Sequence, residues 1–269
     1  MSASPRGRKG PLAAARNLWR YRDLVGRMVA RNLRVKYKRS VLGFVWTLLN
    51  PLLTVSVLIA IFSYVVRVEI DAYWAFLVSG YFVWNFVGQT LSSATYVLRE
   101  YGHLSRAVAY PKEAPILAAV LARLVEFLAE VVLVLVILAI FRHGHVPVSF
   151  LWIPLLIFLQ VMIALGLAFP VATLSAFYHD VEHAMPILLT TLFYVSPIFY
   201  SVVLVPEAVR SLYMLNPLAG LLTLFQTVAY AGQAPAMGLL LGTSAVAVVL
   251  PLVGYTLFTR FESLVAEVV

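Results

Sequence analysis

The stretch R-N-L-R-V-K-Y-K-R-S-V-L-G-F-V-W-T-L-L-N-P-L at residues 31–52 decides the fold, because it changes within a few positions from densely basic to almost wholly apolar. The uncharged run over 44–66 is long enough for a helical membrane crossing, which needs about 20 apolar residues. No small-residue cleavage pattern follows it, so we expect this run to be retained and not removed as a signal peptide. The stretch predicts a basic flank joined to a first membrane-spanning helix.

The rest of the 269-residue chain has the same apolar character. Apolar residues make up 62% and charged residues 12%, with a mean hydropathy of +0.92, whereas soluble domains hold about 45–50% apolar and about 25% charged residues. A soluble globular protein is thereby excluded. The length allows roughly six crossings and no separate catalytic domain. The lack of cysteine excludes disulfides, thiol catalysis and thiolate metal sites.

Further uncharged runs predict the other membrane helices: 74–98, a helical pattern from Ala114 to Phe141, another from Phe150 to Tyr178, and then 183–206 and 236–258. Residues 212–231 either cross or re-enter, and the Asn216-Pro217 break is typical of a half-helix hairpin. We therefore expect an all-α integral membrane protein with six transmembrane helices. Its parts are a basic tail and interface helix (1–43), the membrane domain (44–260) and a short tail (261–269).

The placement of positive charge predicts the orientation. Residues 1–43 hold 12 of the 20 Lys and Arg residues and a single acid, Asp23. Beside a membrane span, this charge favours cytoplasmic retention and contact with anionic lipid over nucleic-acid binding. With a cytoplasmic N-terminus, 17 Lys and Arg residues lie inside and only Arg67, Arg142 and Arg210 outside. Both termini are therefore expected in the cytoplasm.

Residues 16–39 predict an amphipathic helix at the membrane surface. At 100° per residue, one arc collects basic side chains and the opposite side collects Leu, Val, Met and Tyr side chains. This helix is either a lipid anchor or also a guide for a phosphate-bearing substrate or a cytoplasmic partner. The candidate substrate-path residues on it are Arg27, Arg31, Arg34 and Lys38.

Three ionisable residues share one face of the third predicted span: Arg123, Glu126 and Glu130. Charged side chains at membrane depth cost about 2.5–3.5 kcal/mol each and turn towards a partner or a wet cavity. We expect them to set the packing of the protomer or of a dimer. Alternatively, Arg123 and Glu126 pair locally near the cytoplasmic interface.

Aromatic residues cluster at the predicted external ends of the spans. They form either an interfacial belt against lipid or a stacking surface for sugars. The candidate path residues among them are Phe62, Phe193, Tyr194 and Tyr200.

Two motif searches bear on catalysis. His179-Asp180-Val181-Glu182-His183 matches the H-x-x-E-H pattern of inverted zinc proteases, but a third ligand is missing on the same side of the membrane, so a polar turn without metal is the main interpretation. The sequence has no G-x-x-x-x-G-K-S/T phosphate loop, so ATP would be handled by another subunit.

The segment from Glu100 to Pro115 is either a docking helix for that subunit or a connecting turn. Its candidate coupling residues are Glu100, Tyr101, Leu104, Arg106 and Lys112.

The chain resembles the permease subunit of ABC exporters for O-antigen, capsule and teichoic-acid polymers from about Asp23 to Phe258. The resemblance rests on the segment 31–52, on A-F-Y-H-D (176–180), on V-S-P-I-F-Y (195–200) and on L-N-P-L-A-G-L (215–221). The chain departs from the family pattern at His179 and Gln226, where arginine is common.

The resemblance implies a six-span protomer with an external re-entrant hairpin, in which Leu42, Gly43 and Trp46 mark the bend into the first span. It further implies a homodimer with two separate ATPase subunits, which bind ATP and magnesium in place of this chain and contact it at Glu100 to Pro111. The expected function is export of lipid-linked, O-antigen-like (lipopolysaccharide) polymer across a bacterial cytoplasmic membrane. Teichoic-acid or capsule export, a drug or lipid exporter and a membrane metalloprotease are the alternatives.

Overall fold

The computed structural model describes residues 19–102, 110–141, 146–214 and 216–268, and these are helical for most of their length. The helices are α1 (Arg22–Tyr37), α2 (Val45–Ala60), α3 (Tyr73–Glu100), α4 (Ala114–Phe141), α5 (Ile153–Phe177), α6 (Asp180–Val195), α7 (Glu207–Tyr213), α8 (Pro217–Phe225) and α9 (Met237–Val268). π-Helical turns extend α2 over Ile61–Val66 and α8 over Gln226–Tyr230, and a 3₁₀ turn, Val148–Trp152, precedes α5.

The chain bends between α1 and α2, in the region that the resemblance implied. Arg39 and Gly43 have positive φ angles of 65° and 50°, a conformation that glycine adopts without strain. The backbone N–H of Gly43 donates to the Ser40 hydroxyl at 3.1 Å, which closes the turn. The bend lets the apolar residues Val25 and Met28 of α1 become buried, while α1 lies along α4.

Helix α3 is the centre of the bundle and contacts α4, α5, α6 and α8. Most of its residues are buried. Helix α5 also lies against α9, where small residues allow a close approach. A Cβ added at Gly166 would lie 2.6 Å from the backbone carbon of Leu250, and one added at Gly254 would overlap the Gly166 carbonyl oxygen. The α5–α9 contact therefore requires glycine.

Four helical segments in the described chain are long and apolar enough to cross a membrane: Val45–Val66, Ala114–Phe141, Val148–Phe177 and Met237–Glu262. The helix predicted for the third span is present with the predicted bounds, Ala114–Phe141. Helix α3 has ample length, but it carries several uncharged polar residues. Helix α6 ends at Val195, earlier than the run 183–206 predicted, because Pro197 has no N–H and forces Ser196 into an extended conformation.

The predicted turn at Asn216-Pro217 is present between α7 and α8. The Asn216 side chain accepts from the backbone N–H of Leu218 at 3.0 Å and donates to the Ser196 hydroxyl at 3.1 Å. The apolar helical segment Pro217–Tyr230 is shorter than a membrane crossing requires. At the other end of the chain, α9 continues through the predicted boundary at residue 260 without a break.

Candidate functional site

A partly buried ionic cluster joins α1 to α4, and we call it the Glu126 cluster (Lys36, Tyr37, Arg123 and Glu126). The Lys36 ammonium lies 2.8 and 2.9 Å from the two Glu126 carboxylate oxygens. Arg123 donates to Glu126 at 2.8 Å, and the Tyr37 hydroxyl donates to it at 2.5 Å. Burial lowers the pKa of Lys36, and the nearby Arg123 guanidinium lowers it further, against the opposing effect of Glu126. The cluster is therefore charge-dense and locally well paired.

Helix α3 supplies the remaining polar partners. The Arg123 guanidinium donates to the Ser93 hydroxyl at 3.0 and 2.8 Å. Glu130, which is 3% exposed, accepts from the Asn85 amide at 3.1 Å through one carboxyl oxygen. Its other oxygen is buried and has no hydrogen-bond partner. The predicted acidic face of α4 is thus directed at α1 and α3.

Two cavities adjoin the Lys36–Glu126 ion pair, since both residues line both cavities. The first has a volume of about 320 Å³ and is lined by Arg31, Asn32, Tyr96 and Glu100, among others. The second has a volume of about 370 Å³. Its lining includes aromatic, amide and carboxyl side chains: Trp46, Asn50, Tyr81, Asn85, Gln89 and Glu130.

The predicted basic residues of α1 are exposed: Arg27, Arg31, Arg34 and Lys38. The structure places Arg31 at the first cavity, with its guanidinium carbon 4.6 Å from the centre of the Tyr101 ring. Arg27 bonds back to the Asp23 carbonyl in its own helix at 3.4 Å. The helix therefore presents basic charge on its outer side, and Arg31 is the member of this group that borders one of the two cavities described above.

The predicted coupling residues have different environments. Tyr101 is 2% exposed, and its hydroxyl donates to the Asn32 side chain at 2.7 Å. Glu100 lines the first cavity, and Lys112 lies over the Tyr110 ring. Leu104 and Arg106 lie outside the described residues. Tyr101 therefore joins α3 to α1 and has almost no surface to offer a partner protein.

The predicted path aromatics come together around Phe199, which is 7% exposed. The Phe199 ring lies 5.3 Å from both Phe62 and Phe193, 5.9 Å from Tyr194 and 5.4 Å from Tyr200. The Tyr200 hydroxyl donates to the Tyr194 carbonyl at 3.2 Å. Tyr194 itself is 62% exposed. The cluster lies at the C-terminal end of α2, which is the end distant from α1.

The H-x-x-E-H stretch lies at the start of α6. Its central acid, Glu182, forms an ion pair with Arg99, and Arg99 also bonds to the Ser175 carbonyl oxygen. Within the described ranges, no group of three or more His, Cys, Asp or Glu side chains is placed to hold a metal ion. Glu182 connects the ends of α3, α5 and α6 at this point.

Three site residues were missed by the sequence prediction: Lys36, Tyr37 and Asn85. Lys36 is eleven residues from Val25, which is three helical turns, so it lies on the apolar side of α1 and away from the arginine arc. A cation on an apolar face, with acids in a nearby span, indicates an ion pair. Asn85 carried no comparable indication, because its partner Glu130 lies on another helix.

The comparisons agree with this architecture. Residues 23–230 match the family model described as ABC-2 type transporter. The O-antigen export system permease protein RfbA of Klebsiella pneumoniae is 30% identical over 202 residues, which cover 74% of this chain and 77% of that protein. A protein of the same name from Myxococcus xanthus is 29% identical over 238 residues, covering 87% of this chain and 91% of that protein. The chain is therefore a multi-pass membrane protein that belongs to the ABC-2 type transporter family.

Proposed function

We propose that this chain is the membrane subunit of an ATP-driven exporter that moves a lipid-linked polysaccharide of the O-antigen type across the bacterial cytoplasmic membrane. The observation that carries the proposal is the identity of about 30% to proteins named O-antigen export permeases, over 77% to 91% of their length. The structure adds support, because buried acids and polar-lined cavities between the helices suit a hydrophilic cargo.

The proposed assembly is a homodimer with two ATP-binding cassette subunits. The sequence contains no G-x-x-x-x-G-K-S/T phosphate loop, so the partner subunits would bind ATP and magnesium and hydrolyse the nucleotide. Both ends of the chain would lie in the cytoplasm. Helices α3 and α6 would supply the second and fifth of the six crossings, and the short helices α7 and α8 would re-enter from outside. The Asn216 cap and the limited length of Pro217–Tyr230 support the re-entrant hairpin.

The proposed path begins at α1 and ends at the aromatic cluster around Phe199. Exposed arginines on α1 would attract the lipid-linked phosphate at about 1 kcal/mol per charge near the membrane surface. Neutral sugars would then pass towards the aromatic cluster around Phe199, at the other end of α2. Tyr194 is the most exposed side chain of that cluster.

Deletion of the gene in its own bacterium tests the proposed function. We expect surface polysaccharide to disappear and lipid-linked polymer to accumulate inside the cell, with both effects reversed by a plasmid copy. Normal surface polysaccharide in the deletion strain would contradict the O-antigen assignment. Loss of a teichoic acid or a capsule in place of the O-antigen would contradict it as well.

A further inference from the structure

A polar stripe runs along one face of α3, and contacts within the chain account for two of its four residues, Asn85 and Ser93. Asn85, Gln89, Ser93 and Tyr96 follow one another at intervals of four, four and three residues, so they share a face of the helix. Asn85 and Gln89 line the second cavity, and Ser93 and Tyr96 line the first. Gln89 is exposed on the surface of the chain. An amide in a membrane helix is costly against hydrocarbon, so the exposed Gln89 is favoured beside water, a polar ligand or a polar protein surface.

The second cavity has an acceptor that its own residues leave unused. One Glu130 oxygen is buried without a hydrogen-bond partner, although the other accepts from Asn85. A buried carboxyl oxygen without a partner is destabilising. Glu130 lines the cavity together with Asn50 and Gln89, so the cavity wall offers one carboxyl and two amide side chains to a ligand with hydroxyl groups.

The composition of the lining favours an uncharged ligand over an ion. The Glu126 carboxylate is already paired with Lys36 and Arg123, which leaves Glu130 as the single uncommitted acid among the lining residues. Hard cations such as calcium take six to eight oxygen ligands, usually including several carboxylates. The amides of Asn50, Asn85 and Gln89 can both donate to and accept from hydroxyl groups.

The aromatic members of the lining complete the chemistry. Trp46 and Tyr81 also border the second cavity, and aromatic rings offer apolar contact to the C–H faces of sugars while amides and carboxyls bond to the hydroxyls. The volume of about 370 Å³ is within the range of small-molecule pockets. We propose that this cavity is a binding subsite for a neutral sugar residue of the exported polymer. The inference rests on the proposed function and adds a specific sugar-binding site to the proposed path.

Photocrosslinking in the native bacterium tests the subsite. A benzophenone amino acid at position 89 should capture glycan-bearing material, detected by carbohydrate staining of the purified protein. The same amino acid at Leu128 should capture none, because Leu128 is exposed on the side of α4 opposite Glu126 and Glu130.

Gln89→Leu should lower surface polysaccharide about fivefold at equal protein level. Its side chain is exposed, so this replacement leaves the core intact.

The deletion strain separates the two ideas. If deletion removes surface polysaccharide but Gln89→Leu exports at the normal level and position 89 captures no glycan, the cavity holds only water and the subsite is wrong while the proposed function stands. If deletion leaves surface polysaccharide unchanged, the proposed function fails and the subsite fails with it.

Discussion

At the residue scale, the Glu126 carboxylate has three side-chain partners on two helices. It accepts hydrogen bonds from Lys36, Tyr37 and Arg123, and its side chain is 7% exposed, against 40% for Lys36. Removing one partner from a buried ion pair leaves an unpaired charge, and this costs far more than the pair contributes. Glu126 therefore fixes the position of α1 on α4.

Glu126→Gln should lower the free energy of unfolding by about 3 kcal/mol, because two cations lose their counter-charge. The measurement is the denaturation midpoint of the purified protein in detergent. Glu207→Gln is the matched control, since Glu207 is an exposed carboxylate at the start of α7. Equal midpoints for the two variants would show that the Glu126 cluster does not stabilise the fold.

At the element scale, helix ends follow from local chemistry, and helix contacts follow from side-chain size. Helix α6 ends before Pro197, and α8 begins at the Asn216 cap. Helices α5 and α9 meet where Gly166 and Gly254 leave no room for a side chain. Only the first two of these features can be recognised in a sequence without knowing which helices are neighbours.

Gly166→Ala should destabilise the bundle by about 1–3 kcal/mol, because its new methyl group would meet the Leu250 backbone. Gly242→Ala in α9 is the control, since nothing lies within 4 Å of an added Cβ there. Denaturant titration of both variants measures the difference. A Gly166→Ala protein as stable as the Gly242→Ala protein would mean that the two helices separate easily.

The hairpin formed by α7 and α8 should place both of its ends outside the cell. Single cysteines at Glu207 and Gln233, both exposed, can be introduced into a chain that has no cysteine of its own. A membrane-impermeant maleimide should label both from outside in intact cells. Labelling of position 233 only in inside-out vesicles would show that residues 212–231 cross the membrane.

At the scale of the whole molecule, the sequence predicted the architecture better than the site. Run lengths predicted the four helical segments of the described chain that are long and apolar enough to cross a membrane, and the bounds of α4 agree with the prediction. The acids of α4 were singled out, because charge is conspicuous in an apolar run. Lys36 and Asn85 were missed as their partners, since such pairs join residues 90 and 45 positions apart. Periodicity along one helix carries no information about which helix lies opposite.

Reconstituted transport tests the central claim most directly. The chain and its partner ATPase, placed together in proteoliposomes loaded with the bacterium's own lipid-linked polysaccharide, should move the polymer across the bilayer only when ATP is supplied. The chain alone should hydrolyse no ATP and move no polymer. ATP hydrolysis by the isolated chain, or an active complex that leaves the polymer in place, would contradict the account.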